Sequence, residues 1–543
     1  MAQRTFHTPM KRLILSILPL AIIIAIPIAL RKPAEAIDET ADQLVIITPN
    51  NEAIRYETEQ AFRKLYHEKT GRNVSIDWRD VGGTGDIVRY VDSAYTANFR
   101  QYWTSELGRE WSDDVSQAFK NPRLSPKENM ARRAFLESNV GIGIDLFFGG
   151  GQYDLNKQAN IGTLVPCGVQ KRHPEWFSGE KPPLEQSLGG EIWYDKDDRY
   201  YGTCFSSFGI CINLDRMTKL GFDVEHPNAL LTSWRLLGDP KLIGQVGLAD
   251  PTKSGSINKC FEMLVQKTMQ ETWQQNKSAL DNGAMTEKEL INKAWQDAMT
   301  LIKQCGGNAR YLTFSAGRVP VDCASGQIAA GLCIDFYGRS QAEWAEKHVG
   351  RPVMVYHTPV FASSVSVDPI GMFRGAPNKV RAQMFIDFLL SKEGQQLWNN
   401  KVGTPNGPVK YTLHRMPVRR DLYASEYKKF MTAPDADMFS LAENFTYMGK
   451  WTAPYFTLLR VLIKVMVIDC HDELQDAWQA IVAAGGPEAG PAAMEEFAKL
   501  PFQHSEASEI SKQLSKPENQ TVLMRQWGDF FRKSYASAKA ATK

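Results

Sequence analysis

Thr252, Ser254, Gly255 and Ser256 cluster directly after the apolar run Val246-Gly247-Leu248-Ala249 and the pair Asp250-Pro251. An apolar periodicity through Ile257, Phe261, Leu264 and Val265 follows. The order predicts a strand, a turn and then a helix whose first amides lack carbonyl partners. Free N–H groups and hydroxyls at the positive end of a helix attract an anion, although any one of these serines also suits an ordinary N-cap. Three other strand-like runs end the same way. Leu44 to Thr48 leads into Pro49-Asn50-Asn51-Glu52, Val74 to Trp78 into Gly82-Gly83-Thr84-Gly85, and Ile142 to Phe148 into Gly149-Gly150-Gly151. Ligands of open α/β sheets bind at the carboxyl edge of the strands, so Thr48, Asn50, Asn51, Glu52, Gly83, Thr84 and Gly150 are candidate ligand-binding residues. Ser206 and Ser207, in the extended stretch from Tyr201 to Asn213, join them.

Other residue patterns suggest different chemistry. Ser256-Ile257-Asn258-Lys259 fits S-x-x-K and Lys69-Thr70-Gly71 fits K-T-G, the parts of a serine acyl-transfer enzyme. Their order is reversed and no S-D-N stands between them. Asp469-Cys470-His471-Asp472-Glu473 offers metal-ligand types, but Leu462, Val465, Met466, Leu474 and Trp478 recur at helical spacing and predict a docked helix with polar ends. No Walker lysine follows the glycine loops and no H-E-x-x-H occurs. Neither a cofactor nor a metal is expected.

The elements that position these residues belong to a chain of 543 residues, 43% hydrophobic and 23% charged, which calls for two or three cores. With 63 basic against 61 acidic residues and no basic block, a nucleic-acid partner has little to hold. A mean hydropathy of -0.33 and one long apolar run exclude a polytopic membrane protein. That run, Leu13 to Leu30, is flanked by Arg4, Lys11 and Arg12 before it and by Arg31, Lys32 and Ala34-Glu35-Ala36 after it. It reads as an export signal cleaved after Ala36, or as an uncleaved inner-membrane anchor over residues 13–30. The eight cysteines contain no C-x-x-C pair, and their spacing leaves buried thiols and one or two disulfides both open.

Behind the signal, β and α patterns alternate from Leu44, with a segment of 98–139 read as a helical insertion. A second lobe begins near Tyr201–Asn213. Val353 to Tyr356 and Ser366 to Phe373 look like strands returning to the first lobe, followed by a helix from Lys379 to Trp398. Trp451, Phe456, Leu459 and Leu462 suggest amphipathic helices packed on the first lobe, broken at Gly485-Gly486-Pro487.

From Leu44 to Tyr423 the order of elements resembles the type II solute-binding proteins of ABC importers, in the cluster of ferric-ion, thiamine and phosphorylated-compound binders. The most specific match is Trp234-Arg235-Leu236-Leu237-Gly238-Asp239-Pro240 followed by the Val246–Ser256 segment. Gly375-Ala376-Pro377-Asn378 leading through Phe385-Ile386-Asp387-Phe388 to Glu393-Gly394-Gln395 is the second. The resemblance implies an α/β fold of two lobes: a first lobe from 44–205 and 362–423, a second from 206–361, and a helical C-terminal extension over 424–543. It implies a small-molecule ligand held between the lobes without reaction, an ABC permease as partner, a periplasmic location and a monomer. Asp335-Phe336-Tyr337 ends a second-lobe strand where ferric members carry adjacent tyrosines. Only Tyr337 fits, so an anionic or phosphorylated solute is expected rather than iron, with Asp335 suited to a cationic or hydroxyl group. A ferric-ion binder and an envelope sensor or structural protein on the same fold are the alternatives.

Overall fold

The computed structural model describes residues 40–543, so the apolar run at 13–30 and the expected cleavage site lie outside the described residues. In chain order, β1 (Asp42–Ile47) leads to α1 (Glu52–Thr70), β2 (Val74–Arg79) and α2 (Thr84–Gln101). Next come β3 (Leu146–Phe148), α3 (Gln152–Ile161), β4 (Leu164–Val165) and the hairpin of β5 (Ser187–Leu188) and β6 (Glu191–Ile192). β7 (Tyr200–Ser206) and β8 (Phe208–Asn213) are separated by Ser207 alone. β9 (Val246–Ala249), α4 (Gly255–Gln275), α5 (Glu287–Gly307), β10 (Ala309–Thr313), β11 (Ala330–Ile334), α6 (Asp335–Val349) and β12 (Met354–His357) follow. β13 (Ser366–Phe373), α7 (Lys379–Leu390) and β14 (Met416–Pro417) precede the helices of the extension, among them α8 (Met438–Glu443), α9 (Phe456–Ile463), α10 (His471–Ala483), α11 (Pro491–Ala498) and α12 (Pro517–Ala540).

Two large sheets result, beside the two-stranded β5–β6 hairpin. The first has seven strands in the order β14-β7-β13-β3-β1-β2, with β4 added to β13, and the second five in the order β10-β9-β11-β8-β12. β1 runs parallel to β2 with Leu44 opposite Ile76, and parallel to β3 with Ile46 opposite Leu146. Leu44 and Ile46 on one face and Ile47 on the other are fully buried, as expected for a strand covered on both faces. α1 starts where the Asn51 side chain accepts from Ile54 N at 3.1 Å and stops at Gly71, whose φ of 69° suits glycine. Ile54, Phe62 and Tyr66 bury its inner face.

Three expectations require correction. The third strand begins at Leu146, not Ile142, because the Asp145 carboxylate takes the amides of Val45 at 2.8 Å and Asn378 at 2.6 Å and ends the ladder there. Met354–His357 does not return to the first lobe. It pairs antiparallel with β8 at the edge of the second sheet, and a short apolar run carries no signal of which sheet it will join. The extension packs mainly on the second lobe. Met438, Phe439 and Ala442 of α8 do enter the first-lobe core, but Trp451, Leu459, Leu462 and Trp478 belong to the second-lobe core with Phe261 and Met299.

The chain therefore passes between the lobes three times: at Ser207, between β12 and β13, and again between α8 and residue 449. Residues 449–468 form the one helical stretch among the described residues long and apolar enough to cross a membrane, yet 61% of it is buried inside the molecule. Packing accounts for that apolarity. The 98–139 segment is helical over Asp113–Ala118 and Met130–Glu137, and its Phe119 stacks on Phe99 at 4.6 Å while Phe135 meets Phe99 edge to face at 5.4 Å, covering the outer face of the first sheet. All eight cysteines are buried and free.

Candidate functional site

A cavity of about 660 Å³ lies between the lobes, a size common to sites for small organic molecules. Four long helices open on it. The caps or first residues of α1 (Asn51), α2 (Gly83, Thr84), α3 (Gly151, Gln152) and α4 (Ser254, Gly255) all line its wall. Gly151 provides no side chain to cap α3, so that helix presents its first amides to the cavity. Glycine matters where loops crowd. Gly150 has a φ of 91° and a Cβ there would stand 2.9 Å from the Thr84 side chain. A Cβ on Gly83 of the first lobe would stand 3.2 Å from the Lys253 carbonyl of the second, so the lobes meet directly beside these helix ends.

Nine of the expected residues line this cavity: Asn50, Asn51, Gly83, Thr84, Gly150, Ser254, Gly255, Ser256 and Tyr337. Ser254 is also the N-cap of α4, accepting from Ile257 N at 3.3 Å, and its hydroxyl lies 3.0 Å from that of Ser256. Burial pushes the Tyr337 phenol above its ordinary value, against the pull of Arg415.

Six expected residues do not line it. Thr48 is buried, donating to the Phe148 carbonyl at 2.6 Å and accepting from Asn50 N at 3.0 Å. Glu52 is exposed on the first turn of α1. Thr252 is tied to the Asp250 carboxylate through its amide at 2.7 Å and its hydroxyl at 2.6 Å. Ser206 accepts from Arg415 Nη2 at 2.6 Å. Ser207 and Asp335 hold each other at the first crossing. Asp335 Oδ2 takes the Ser207 amide at 3.1 Å and its hydroxyl at 3.3 Å, and Oδ1 takes the Phe336 amide at 2.8 Å. Thr48 and Asp335 satisfy backbone groups left unpaired at strand ends and so shape the site from behind.

Several lining residues were not singled out as ligand-binding from the sequence. Arg415 is buried, bound to Asp368 at 2.6 Å and stacked 4.3 Å over the Phe336 ring. Its Nε is buried with no hydrogen-bond partner among the described residues. Lys259 sits 2.7 Å from Glu191 and 2.8 Å from Glu262, and 4.1 Å over the Tyr447 ring. Burial pulls the ammonium down, but the two carboxylates outweigh it and hold the group well above its ordinary value. A lysine held protonated in this way is not a base for Ser256, which removes the physical ground for the S-x-x-K reading. Burial raises the carboxyl of Asp154, also in the wall, with Arg460 and Lys157 opposing. The Asp469–Glu473 segment leads into the first turn of α10 without a side-chain cap, and among the described residues no group of three His, Cys, Asp or Glu side chains is placed to hold a metal.

Residues 181–417 match the model of the family described as bacterial extracellular solute-binding protein. That segment carries the second sheet and β7, β13 and β14, and it is similar to this family over somewhat less than half of the chain. An uncharacterized protein of Haemophilus influenzae is 28% identical over 189 residues, 35% of this chain and 44% of its own length, so the match spans less than half of that relative. Among solved structures, the periplasmic binding protein AfuA of Actinobacillus pleuropneumoniae, with exogenous fructose-6-phosphate bound, is 16% identical, over 80% of this chain and 97% of that one, with a TM-score of 0.45. Iron-bound HitA of Pseudomonas aeruginosa is 13% identical, over 78% and 99%, with a TM-score of 0.45. A putative extracellular solute-binding protein of Bordetella parapertussis is 11% identical, over 79% and 99%, with a TM-score of 0.48.

Proposed function

We propose that the protein captures a small organic anion, a phosphorylated compound foremost, between its lobes in the periplasm and delivers it as a monomer to an ABC permease of the inner membrane. The observation that carries this reading is the opening of four helix N-termini on one cavity of about 660 Å³. Each such terminus favours negative charge by about 0.3–1 kcal/mol, more where solvent is excluded. The named ionised side chains supply no net positive charge, since Lys259 and Arg415 face three carboxylates, Glu191, Glu262 and Asp368, so the attraction has to come from the backbone. The ligand is bound and released unchanged.

A ferric ion is the second reading, favoured by the presence of Tyr337 in the wall. Iron needs several hard anionic oxygens at once, and a phenol pushed up by burial resists giving one. A thermal-shift panel of sugar phosphates, phosphonates, thiamine phosphates, inorganic oxyanions and ferric citrate tests both. Organic anions are expected to raise the melting temperature. A rise with ferric citrate alone, lost in Tyr337→Phe, would overturn the anion reading.

A further inference from the structure

Part of the cavity wall, beside the first turns of α3 and α4, comes from outside the family-matched segment. After α8 the chain crosses to the second lobe, and Tyr447, Ala453, Pro454 and Phe456 of this extension line the cavity. The crossing is firmly held: the Tyr447 amide donates to the Gly189 carbonyl at 2.7 Å and its phenol to Glu262 at 2.6 Å. Phe456 begins α9, where its carbonyl accepts from Asn258 Nδ2 of α4 at 2.9 Å. Its ring faces Tyr153 of α3 in the first lobe, with centroids 5.2 Å apart and planes at 46°. Tyr153 is only half-buried. The pair thus brings one ring from each lobe to the same cavity, with Ala453 and Pro454 of the extension also lining it.

This composition differs in kind from the hydroxyls and amides at Thr84, Ser254 and Ser256. Apolar and aromatic surface attracts apolar surface, and two rings set at an angle favour a flat ring packed against them, edge to face or offset. Resting on the anion reading above, we infer that the extension supplies a second subsite, with Phe456 and Tyr153 as its specificity-determining rings, and that the ligand is an anion carrying a planar unsaturated ring.

Calorimetric titration of the full chain with phenyl phosphate and 1-naphthyl phosphate, against glycerol 3-phosphate at equal charge, tests this. Aryl phosphates are expected to bind about tenfold more tightly, the upper part of what aromatic pairing contributes. Phe456→Leu keeps the apolar volume under the fold, and Tyr153→Leu changes a half-buried side chain. Each is expected to bring the preference to within about threefold. Aryl phosphates binding no better than glycerol 3-phosphate, or a preference untouched in both variants, would overturn the second subsite and leave the anion reading standing. If none of these anions binds the unaltered protein, both fall.

Discussion

Lys259 of α4 and Glu191 of the β5–β6 hairpin meet across the lobes at 2.7 Å, with Glu262 on the ammonium's other side at 2.8 Å. Glu191 also accepts from Ser364, in the second crossing, and Glu262 from Tyr447 and Thr452, in the third crossing and the extension. One buried ammonium therefore ties together both lobes and two of the three passages between them.

Removing that ammonium leaves two buried carboxylates without their cation. Breaking a buried pair from one side typically costs about 3–5 kcal/mol, so Lys259→Met is expected to lower the free energy of urea unfolding by about that much. The double change Lys259→Met with Glu262→Gln should recover part of the loss. Equal stability of Lys259→Met and the unaltered protein would show that the pair carries no net weight.

Docking of the extension rests on a glycine notch. A Cβ on Gly307 at the end of α5 would stand 2.5 Å from the Trp478 ring, and Trp478 Nε1 donates to Asn308 Oδ1 at 2.8 Å. Trp478 is fully buried against Phe497. Trp478→Ala is expected to cost about 3–5 kcal/mol, read in urea unfolding, and to speed proteolysis within 449–543. A variant as resistant to protease as the parent would count against a tightly docked extension.

His504 makes part of this docking sensitive to pH. Its ring lies between Trp295 and Tyr455, each 5.4 Å away, with Nε2 2.8 Å from the Trp451 carbonyl. Burial lowers its pKa below 6.5, the Trp451 bond opposing. Below about 6.5 the unfolded chain takes up this proton and the folded one resists it, so the histidine's contribution is lost as pH falls from 6.5 towards the folded value. Between pH 7.5 and 5 the unaltered protein is expected to lose more stability than His504→Gln, whose amide can still donate to Trp451. Parallel pH profiles would refute this.

How much of this could be read beforehand depends on the distance over which each feature is encoded. Asn51 and Gly71 mark the ends of α1, and Ser254 the start of α4, because caps act within one turn. The alternation of strands and helices up to β3 was equally local. Arg415, Glu191 and Lys259 gave no such signal as ligand-site residues: Arg415 meets Asp368 47 positions away, and Lys259 meets Glu191 68 positions away. Asp335 misled for a related reason. A polar residue at a strand end has a ligand or a neighbouring backbone amide as possible partner, and Ser207, 128 positions earlier, takes it. The extension's apolar stripe was visible, but the notch at Gly306 and Gly307 that receives it lies on α5, and no pattern in either segment names the other.

Ser254 offers the sharpest test of the anion reading, because its two roles separate by substitution. As the cap of α4 it accepts from Ile257 N at 3.3 Å, and aspartate caps a helix as well as serine does, so Ser254→Asp is expected to fold normally. Its carboxylate, however, occupies the positive end of the helix and places a negative charge in the cavity wall where the proposed anion would sit. A ligand at roughly 100 times its dissociation constant stabilises the folded state by about 2.7 kcal/mol; in Ser254→Asp the thermal shift given by phosphorylated compounds is expected to vanish. Ser254→Ala removes the cap, for about 1 kcal/mol of stability, without adding charge, and is expected to keep a reduced shift. An undiminished shift in Ser254→Asp would mean that the anion sits elsewhere and that the end of α4 is a cap alone.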